Sequence, residues 1–548
     1  MGYQVPLKEI RFVLNELAEL PAVCTLPGYE DCNVDLVDAV LDEAAKFAEN
    51  VIAPINAAGD KGNVWNNFEV KTAEGFADAY AQFRDSGWVG LRAPQDYGGQ
   101  GLPALVAMAT EEMWCASSVS FSLAPLLTLG SIEAINHHAS DAVKATFLPA
   151  MCEGRWTGTM NLTEPNAGSD LAQVRTKAVD NGDGTYSITG QKIFITWGEH
   201  DMAENIIHLV LARLPDAPAG VKGISLFVVP KYLVNEDGSL GKRNDARCVS
   251  LEHKLGIHGS PTAVMSFGDE GGAIGYLVGE LNKGLPYMFT MMNHARLGVG
   301  VQGLAISDRA YQHAVEYARD RVQSRELGSP SPDSVAIIKH PDVRRMLMTM
   351  RAQIEAQRAL SYYTATALDR ASTHPNPEEK ARNQALVNFL IPIVKGWNTE
   401  QANEITSLGV QVHGGMGFIE ETGAAQYYRD ARITAIYEGT TGIQALDLIG
   451  RKLASEKGVT AAAVLAEVKA TVAKLAAAGS DFASLKANLE AGIAQAEACV
   501  NFVLETFGTQ PRLPAAGSVP FLKLMGILLG GWQLARGALI AQAKLGED

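Results

Sequence analysis

The spacing of apolar residues changes period twice along these 548 residues, so the chain must combine helical and β layers. From Val34 to about Ala53 the residues Leu36, Val37, Val40, Leu41, Ala44 and Phe47 recur at helical spacing. Helical patterns continue over 74–84, 104–114 and 132–139, separated by Gly, Pro and Asn breakers. The period then shortens. Tyr186–Thr196 sets β-branched and aromatic residues around a glycine, and Asn181-Gly-Asp-Gly184 just before it is a strong hairpin signal. Short apolar or alternating runs follow at 206–211, 223–230, 248–251 and 263–267. Beyond Pro286 long helical patterns return, and Ala-rich helices are expected at 461–478 and 482–506. A Gly/Pro linker over 508–520 should lead to a last apolar helix. The expected fold class is α+β and multidomain. An N-terminal helical domain spans 1–156 and a central antiparallel β domain 157–285. A four-helix-bundle-like domain spans 286–455, and a helical C-terminal extension 456–548.

Composition narrows the function classes. Lys plus Arg total 46 against 61 Asp plus Glu, a net charge of −15, which repels phosphate backbones and argues against nucleic-acid partners. From Arg451 onward there are ten basic and eight acidic residues, so the negative charge lies upstream of the extension. Six cysteines without a C-x-x-C pair read as reduced, mostly packed thiols. The eleven histidines show no metal-ligand spacing, and no metal is expected. The N-terminus has no signal-peptide pattern, and Glu9, Glu16 and Glu19 do not suit a transit peptide. The nearest approach to a membrane span, 519–540, is interrupted by Lys523, Gln533 and Arg536 and reads as a buried or interface helix. A cytoplasmic location without membrane insertion is therefore expected.

One obvious motif misleads. Gly298-Val-Gly300-Val-Gln-Gly303 matches G-x-G-x-x-G, yet helical spacing runs on both sides of it, and a dinucleotide site needs a strand-to-helix turn there. Small residues inside a helix instead permit close helix packing. Chemistry is expected elsewhere. Met160-Asn-Leu-Thr-Glu-Pro-Asn-Ala-Gly-Ser-Asp170 ends in a loop that can offer amides and hydroxyls to a ligand. In Gln191-Lys-Ile-Phe-Ile-Thr-Trp-Gly198, Phe194 and Thr196 lie two apart, on one face of a strand. Gln411-Val-His-Gly-Gly-Met-Gly417 suits close backbone approach. Glu438 follows the mostly apolar Thr434-Ala-Ile-Tyr437 and precedes Gly439, where a desolvated carboxyl with a raised pKa can act as a base. Singly, these segments also read as a turn, a core strand and a surface glutamate.

In this order, the segments resemble the acyl-CoA dehydrogenase family, from about Val34 to Leu453. Pro94-Gln-Asp-Tyr-Gly-Gly-Gln-Gly-Leu102 and Arg319-Asp-Arg-Val-Gln-Ser-Arg325 match weaker family segments. The resemblance implies an FAD enzyme that converts an acyl-CoA to the trans-2-enoyl-CoA, with Glu438 taking the α-proton. It implies that Leu162, Thr163, Ser169, Phe194, Thr196, Gln411, Gly415 and Thr440 contact FAD, and that Arg321 reaches the FAD pyrophosphate of a neighbouring subunit. Ser169, Asn293, Arg296 and Gly439 would contact the substrate, although some relatives carry Asp where this chain has Asn293. A homodimer or homotetramer and an electron-transfer flavoprotein as acceptor are implied too. The N-terminal segment, residues 252–262 and the extension look like a bacterial branch acting on 3-(methylthio)propanoyl or other short acyl groups. Medium or long straight chains are the alternative substrates. An acyl-CoA oxidase and a DNA-binding flavoprotein of the same superfamily are competing readings.

The chemistry accounts for the residue types. A solvated glutamate has a pKa of about 4.3, and each unit of mismatch with the α-proton costs about 1.36 kcal/mol. Excluding water from Glu438 raises its pKa, while hydrogen bonds to the thioester oxygen would stabilise the developing enolate.

Overall fold

Helix α1 (Val34–Phe47) starts where Asn33, extended, accepts a hydrogen bond from the Leu36 N–H at 2.9 Å and so satisfies one unpaired donor of the first turn. Helices α2 (Phe76–Asp85), α3 (Ala104–Ser117), α4 (Val119–His138) and α5 (Asp141–Cys152) follow. The main strands are β1 (Trp156–Asn161), β2 (Lys177–Asp180), β3 (Tyr186–Thr196), β4 (Asn205–Ala212), β5 (Ser225–Pro230), β6 (Ala246–Leu251), β7 (Thr262–Phe267) and β8 (Ala273–Leu277). Three long helices come next, α6 (Gly284–Asp320), α7 (Pro341–Thr373) and α8 (Pro377–His413). The short α9 (Ala424–Thr434) and α10 (Thr441–Asp447) precede the extension helices α11 (Val459–Ala478), α12 (Ala483–Thr506) and α13 (Ser518–Leu545). The computed structural model describes residues 2–546. The chain forms two compact units: residues 50–102 with 117–295, and residues 2–49 with 103–116 and 296–546.

The first unit is built on an eight-stranded sheet of order β6-β7-β3-β8-β5-β4-β1, with β2 paired to β3. Its pairings are antiparallel except that of β1 with β4, which run parallel from Trp156↔Asn205 to Asn161↔Val210. The hairpin expected at 181–184 joins β2 to β3, and Gly182 and Gly184 supply its positive φ of 80° and 88°. Strand β4 is buried along its whole length because it faces two cores. Ile207, Leu209 and Leu211 join Trp156, Phe147 and Ile135 in one, and Val210 and Ala212 join Phe227, Ile188 and Met265 in the other. Helix α4 is long and apolar enough to cross a membrane, as is α13, although sequence reading singled out only the latter. With 78% of its apolar window buried, α4 serves as a core helix of this unit.

In the second unit α7 and α8 pack along each other, and Leu304, Met350, Ile354, Ile405 and Val412 form a core between α6, α7 and α8. The G-x-G-x-x-G glycines lie inside α6. A Cβ at Gly300 would meet Val394 Cγ1 at 2.7 Å, and one at Gly303 would meet the Asn398 carbonyl carbon at 2.8 Å. They allow α6 and α8 to approach closely. The extension packs against the same helices. Leu522 covers Gly396, Trp397 fills the space beside Gly526 and Gly530, and Trp532 Nε1 donates to Thr471 Oγ1 at 2.7 Å. The expected linker at 508–520 is shorter than its Gly/Pro content suggested. Arg512–Ala516 form a helical turn and α13 begins at Ser518, where Pro520 falls in the first turn, a place that needs no intrahelical N–H donor. Residues 2–49 belong to this unit: Arg536 donates to the Leu17 carbonyl at 3.1 Å and Lys544 pairs with Glu16 at 2.5 Å.

Candidate active site

Between α9 and α10 the chain makes a turn that ordinary side chains avoid. Ile436 and Tyr437 donate back to the Ile433 carbonyl and end α9, and then Glu438 and Gly439 take φ of 54° and 86°. Such a conformation in a non-glycine residue is strained and tends to mark functional positions. Side chains from three helices hold the turn. Gln444 Nε2 donates to the carbonyls of Glu438 and Gly439 at 3.1 and 3.4 Å, Lys395 Nζ donates to the Gly439 carbonyl at 2.6 Å, and the Tyr437 hydroxyl bonds Gln302. Thr440 caps α10 by accepting from the Ile443 N–H, and Thr441 donates to Glu400 at 2.5 Å. Among the described residues the backbone N–H of Glu438 has no acceptor.

The electrostatics of the turn follow from burial. Glu438 as a residue is half-buried, but its carboxyl lies among buried neighbours, and desolvation pushes its pKa up to about 7 against the opposing pull of Arg296 and Lys395. Burial likewise drives Lys395 down to about 7 and lowers Arg296 below its ordinary value, while Glu438 works against both shifts. A carboxyl poised near neutrality suits proton abstraction. Of the residues expected at the site, Glu438, Gly439, Thr440 and Arg296 thus belong to one neighbourhood. Asp447 stands 4.0 Å from Arg296.

A second group assembles in the sheet unit. The Ile193 N–H donates to the Thr163 carbonyl at 2.9 Å, and Lys192 Nζ donates to the Leu162 carbonyl at 3.0 Å, so Leu162 and Thr163 are tied to β3. The β3–β7 register slips between Ala263 and Met265, opposite Phe194, whose φ is 60°. This bulge turns the Phe194 ring outward, 58% exposed, with Thr196 two residues on and half-buried. Beneath it, Glu164 accepts from Lys192 Nζ at 2.8 Å, Thr176 Oγ1 at 2.6 Å and the Arg175 and Thr176 N–H groups. Burial alone would raise the Glu164 carboxyl, but Lys192 and these donors outweigh it and hold it below its ordinary value. Ser169, exposed on the 165–173 loop, and Asn293, half-buried on α6, share no hydrogen bond with this group.

A third group is solvent-facing. Arg321, just past α6, and Gln411 and Gly415, at the end of α8, are all exposed. Tyr317, one turn before Arg321, and His413 bring the two helix ends together, with ring centroids 4.5 Å apart. A Cβ at Gly415 would meet nothing within 4 Å. Sequence reading missed Lys395, Glu164 and Lys192. The available signal was a lone lysine inside the apolar run 389–397, and a charged residue within the alternation of β3.

Four family models match the sequence. The acyl-CoA dehydrogenase N-terminal domain covers residues 37–155, the middle domain 159–269 and the C-terminal domain 282–454. An acetyl-CoA dehydrogenase C-terminal-like domain covers 464–548. A 3-methylmercaptopropionyl-CoA dehydrogenase of Ruegeria pomeroyi is 52% identical over 548 residues, 100% of this chain and 92% of the relative. A butyryl-CoA dehydrogenase of Syntrophomonas wolfei is 36% identical, covering 100% of this chain and 91% of its own length. Among solved structures, an acyl-CoA dehydrogenase from Bacillus anthracis complexed with FAD matches with a TM-score of 0.73 at 22% identity, over 96% of this chain and 84% of that one. That likeness bears on the fold.

Proposed function

Given that this chain belongs to the acyl-CoA dehydrogenase family and is an oxidoreductase, we propose that it converts a short acyl-CoA to its trans-2-enoyl-CoA, with Glu438 as the base that takes the α-proton. The observation that carries this reading is the Glu438 turn: a left-handed, partly desolvated carboxyl with its pKa pushed up to about 7. Such a group can accept a proton near neutral pH and release it afterwards. Arg296, on α6, supplies a buried positive charge that suits the CoA arm, and the Glu438 N–H is a donor suited to a thioester oxygen, where negative charge develops.

FAD is the cofactor of this family and, when bound, supplies the acceptor for the β-hydride. The residues present fit it. Phe194 offers an exposed ring beside the backbone of Leu162 and Thr163 and the Thr196 hydroxyl, which suits a planar heterocycle edged with polar atoms. Gln411 and Gly415 offer an exposed amide and an open backbone for the adenylate end, with Thr440 nearer the base. Ser169, exposed on its loop, is assigned to either ligand, and Asn293 and Gly439 to the substrate. Arg321 faces solvent, as a residue completing a neighbour's cofactor site would, in a homodimer or homotetramer. The four segments bounded at 156, 285 and 455, a cytoplasmic location and an electron-transfer flavoprotein as acceptor belong to the same proposal.

The relative named for 3-methylmercaptopropionyl-CoA supports 3-(methylthio)propanoyl-CoA as the substrate. Anaerobic flavin bleaching with that thioester, butanoyl-CoA and a long-chain acyl-CoA tests this; fastest bleaching by the long chain would reject the short-acyl assignment. Glu438→Gln should retain FAD and acyl-CoA binding yet bleach about 10²–10⁴-fold more slowly, because the near-isosteric amide cannot take the proton. Near-normal bleaching by that variant would refute Glu438 as the base.

A further inference from the structure

Resting on the reading of Glu438 as the proton acceptor, we infer that Lys395 is a positioning residue for that base: its ammonium fastens the Gly439 carbonyl and so holds the left-handed turn that presents Glu438. Lys395 has no exposed surface and lies in α8 among the buried residues Val394, Trp397 and Asn398. A buried ammonium is costly unless a partner compensates it, and among the described residues Lys395 has no ion-pair partner. Its hydrogen bond goes instead to the Gly439 carbonyl at 2.6 Å, 44 positions along the chain. A core lysine serving only to fill space would be better replaced by an apolar side chain. Here the charge-assisted bond falls on the residue whose conformation sets the direction of Glu438.

Gln444 completes the arrangement from the other side, reaching the Glu438 and Gly439 carbonyls from α10. The turn is therefore clamped between α8 and α10, and Glu438 has little freedom to relax from its φ of 54°. Lys395 acts on the carboxyl through space as well. Glu438 is faced by Arg296 from α6 and Lys395 from α8, with Tyr437 beside it in the turn; Glu400 of α8 faces Lys395, while Asp447 at the end of α10 and Arg451 just beyond it face Arg296. Thr441 occupies Glu400, and Arg451 occupies Asp447 at 2.5 Å. Lys395 and Arg296, the latter 4.0 Å from Asp447, are the cations that favour the ionised carboxyl. A cation beside a carboxyl lowers its pKa, so removing Lys395 should raise the pKa of Glu438.

The test uses the flavin-loaded enzyme with Lys395→Met, which keeps the length and loses charge and donor, and Lys395→Gln, which keeps a donor but no charge. In Lys395→Met the rate constant of flavin reduction should fall about tenfold or more at neutral pH with acyl-CoA affinity unchanged, and Lys395→Gln should fall less. In both, the acid limb of the reduction rate should move up by about one pH unit. A second readout needs no cofactor: infrared pH titration of the flavin-free chain, with the Glu438 carboxyl band assigned by its loss in Glu438→Gln, should show the same upward shift. A merely structural lysine would lower stability and leave that midpoint in place. An unmoved midpoint in Lys395→Gln, or a loss confined to KM, would overturn the inference, and Lys395→Gln decides the matter should Lys395→Met not fold. Running Glu438→Gln in parallel separates the two readings. If it still bleaches, the assignment of the base fails; if it is inactive while both Lys395 variants keep wild-type rate and midpoint, only the role of Lys395 fails.

Discussion

Glu438 combines two features that surface carboxylates avoid, a left-handed backbone and a desolvated side chain. The pH dependence follows directly. A carboxyl pushed up to about 7 is protonated below that pH, so on the proposed role of Glu438 flavin reduction should decline as pH falls through about 7 and level off above it. Stopped-flow bleaching across the weakly acidic to weakly basic range measures this, and a flat profile would exclude the raised carboxyl from the rate. Lys192 presents a different residue-scale case. Burial drives it down to about 8, and it is held between Glu164 and the Leu162 carbonyl. Lys192→Met should cost about 3–5 kcal/mol, because Glu164 is left buried without its cation. Urea unfolding reads the loss. The double variant Lys192→Met/Glu164→Gln should recover part of it, since the uncompensated charge is gone.

At the scale of elements, the contacts between helices explain why glycines sit inside them. Gly526 on α13 faces Trp397 on α8, and a Cβ there would lie 2.2 Å from the ring's Cγ. Gly526→Ala must therefore displace α13 or the indole, at about 1–3 kcal/mol, visible as a lower Tm by calorimetry. Gly531, one position after Gly530 on the same helix, meets nothing within 4 Å, so Gly531→Ala should not lower Tm and serves as the control. An unchanged Tm in Gly526→Ala would show that α13 does not pack on α8 as described.

Over the whole molecule, the extension determines which surface the chain shows to water. Phe521, Leu522, Met525, Leu528 and Trp532 of α13 are buried, and so are Val464, Leu465, Val468 and Leu475 of α11. Removing residues 456–548 would uncover Trp397 and the apolar faces of α7 and α8 beside it, so the truncated protein should aggregate or elute as large species on size exclusion. The exposed side of α13 carries Ile527 together with Lys523, which pairs with Glu404 at 2.9 Å. It lacks the dense basic face of a membrane-surface helix. The intact protein should therefore stay in the supernatant with anionic liposomes, and co-sedimentation would mean that α13 serves as an anchor.

Local patterns alone determined the helix–β–helix order, the hairpin at 181–184 and the packing role of the glycines at 298–303, because period and turn chemistry are properties of neighbouring residues. Glu438 was singled out only by the resemblance to the family's motifs, since by itself a carboxylate between an apolar run and a glycine also reads as a surface residue. Tertiary structure decided the rest. It buried β4 on both faces, made its pairing with β1 parallel, and joined residues 2–49 to α13, more than 500 positions away. It also brought Lys395 to the Gly439 carbonyl and Lys192 to Glu164. In sequence these are ordinary charged residues. What distinguishes them is the loss of water around their side chains, and that arises only when surfaces distant in the chain close over one another.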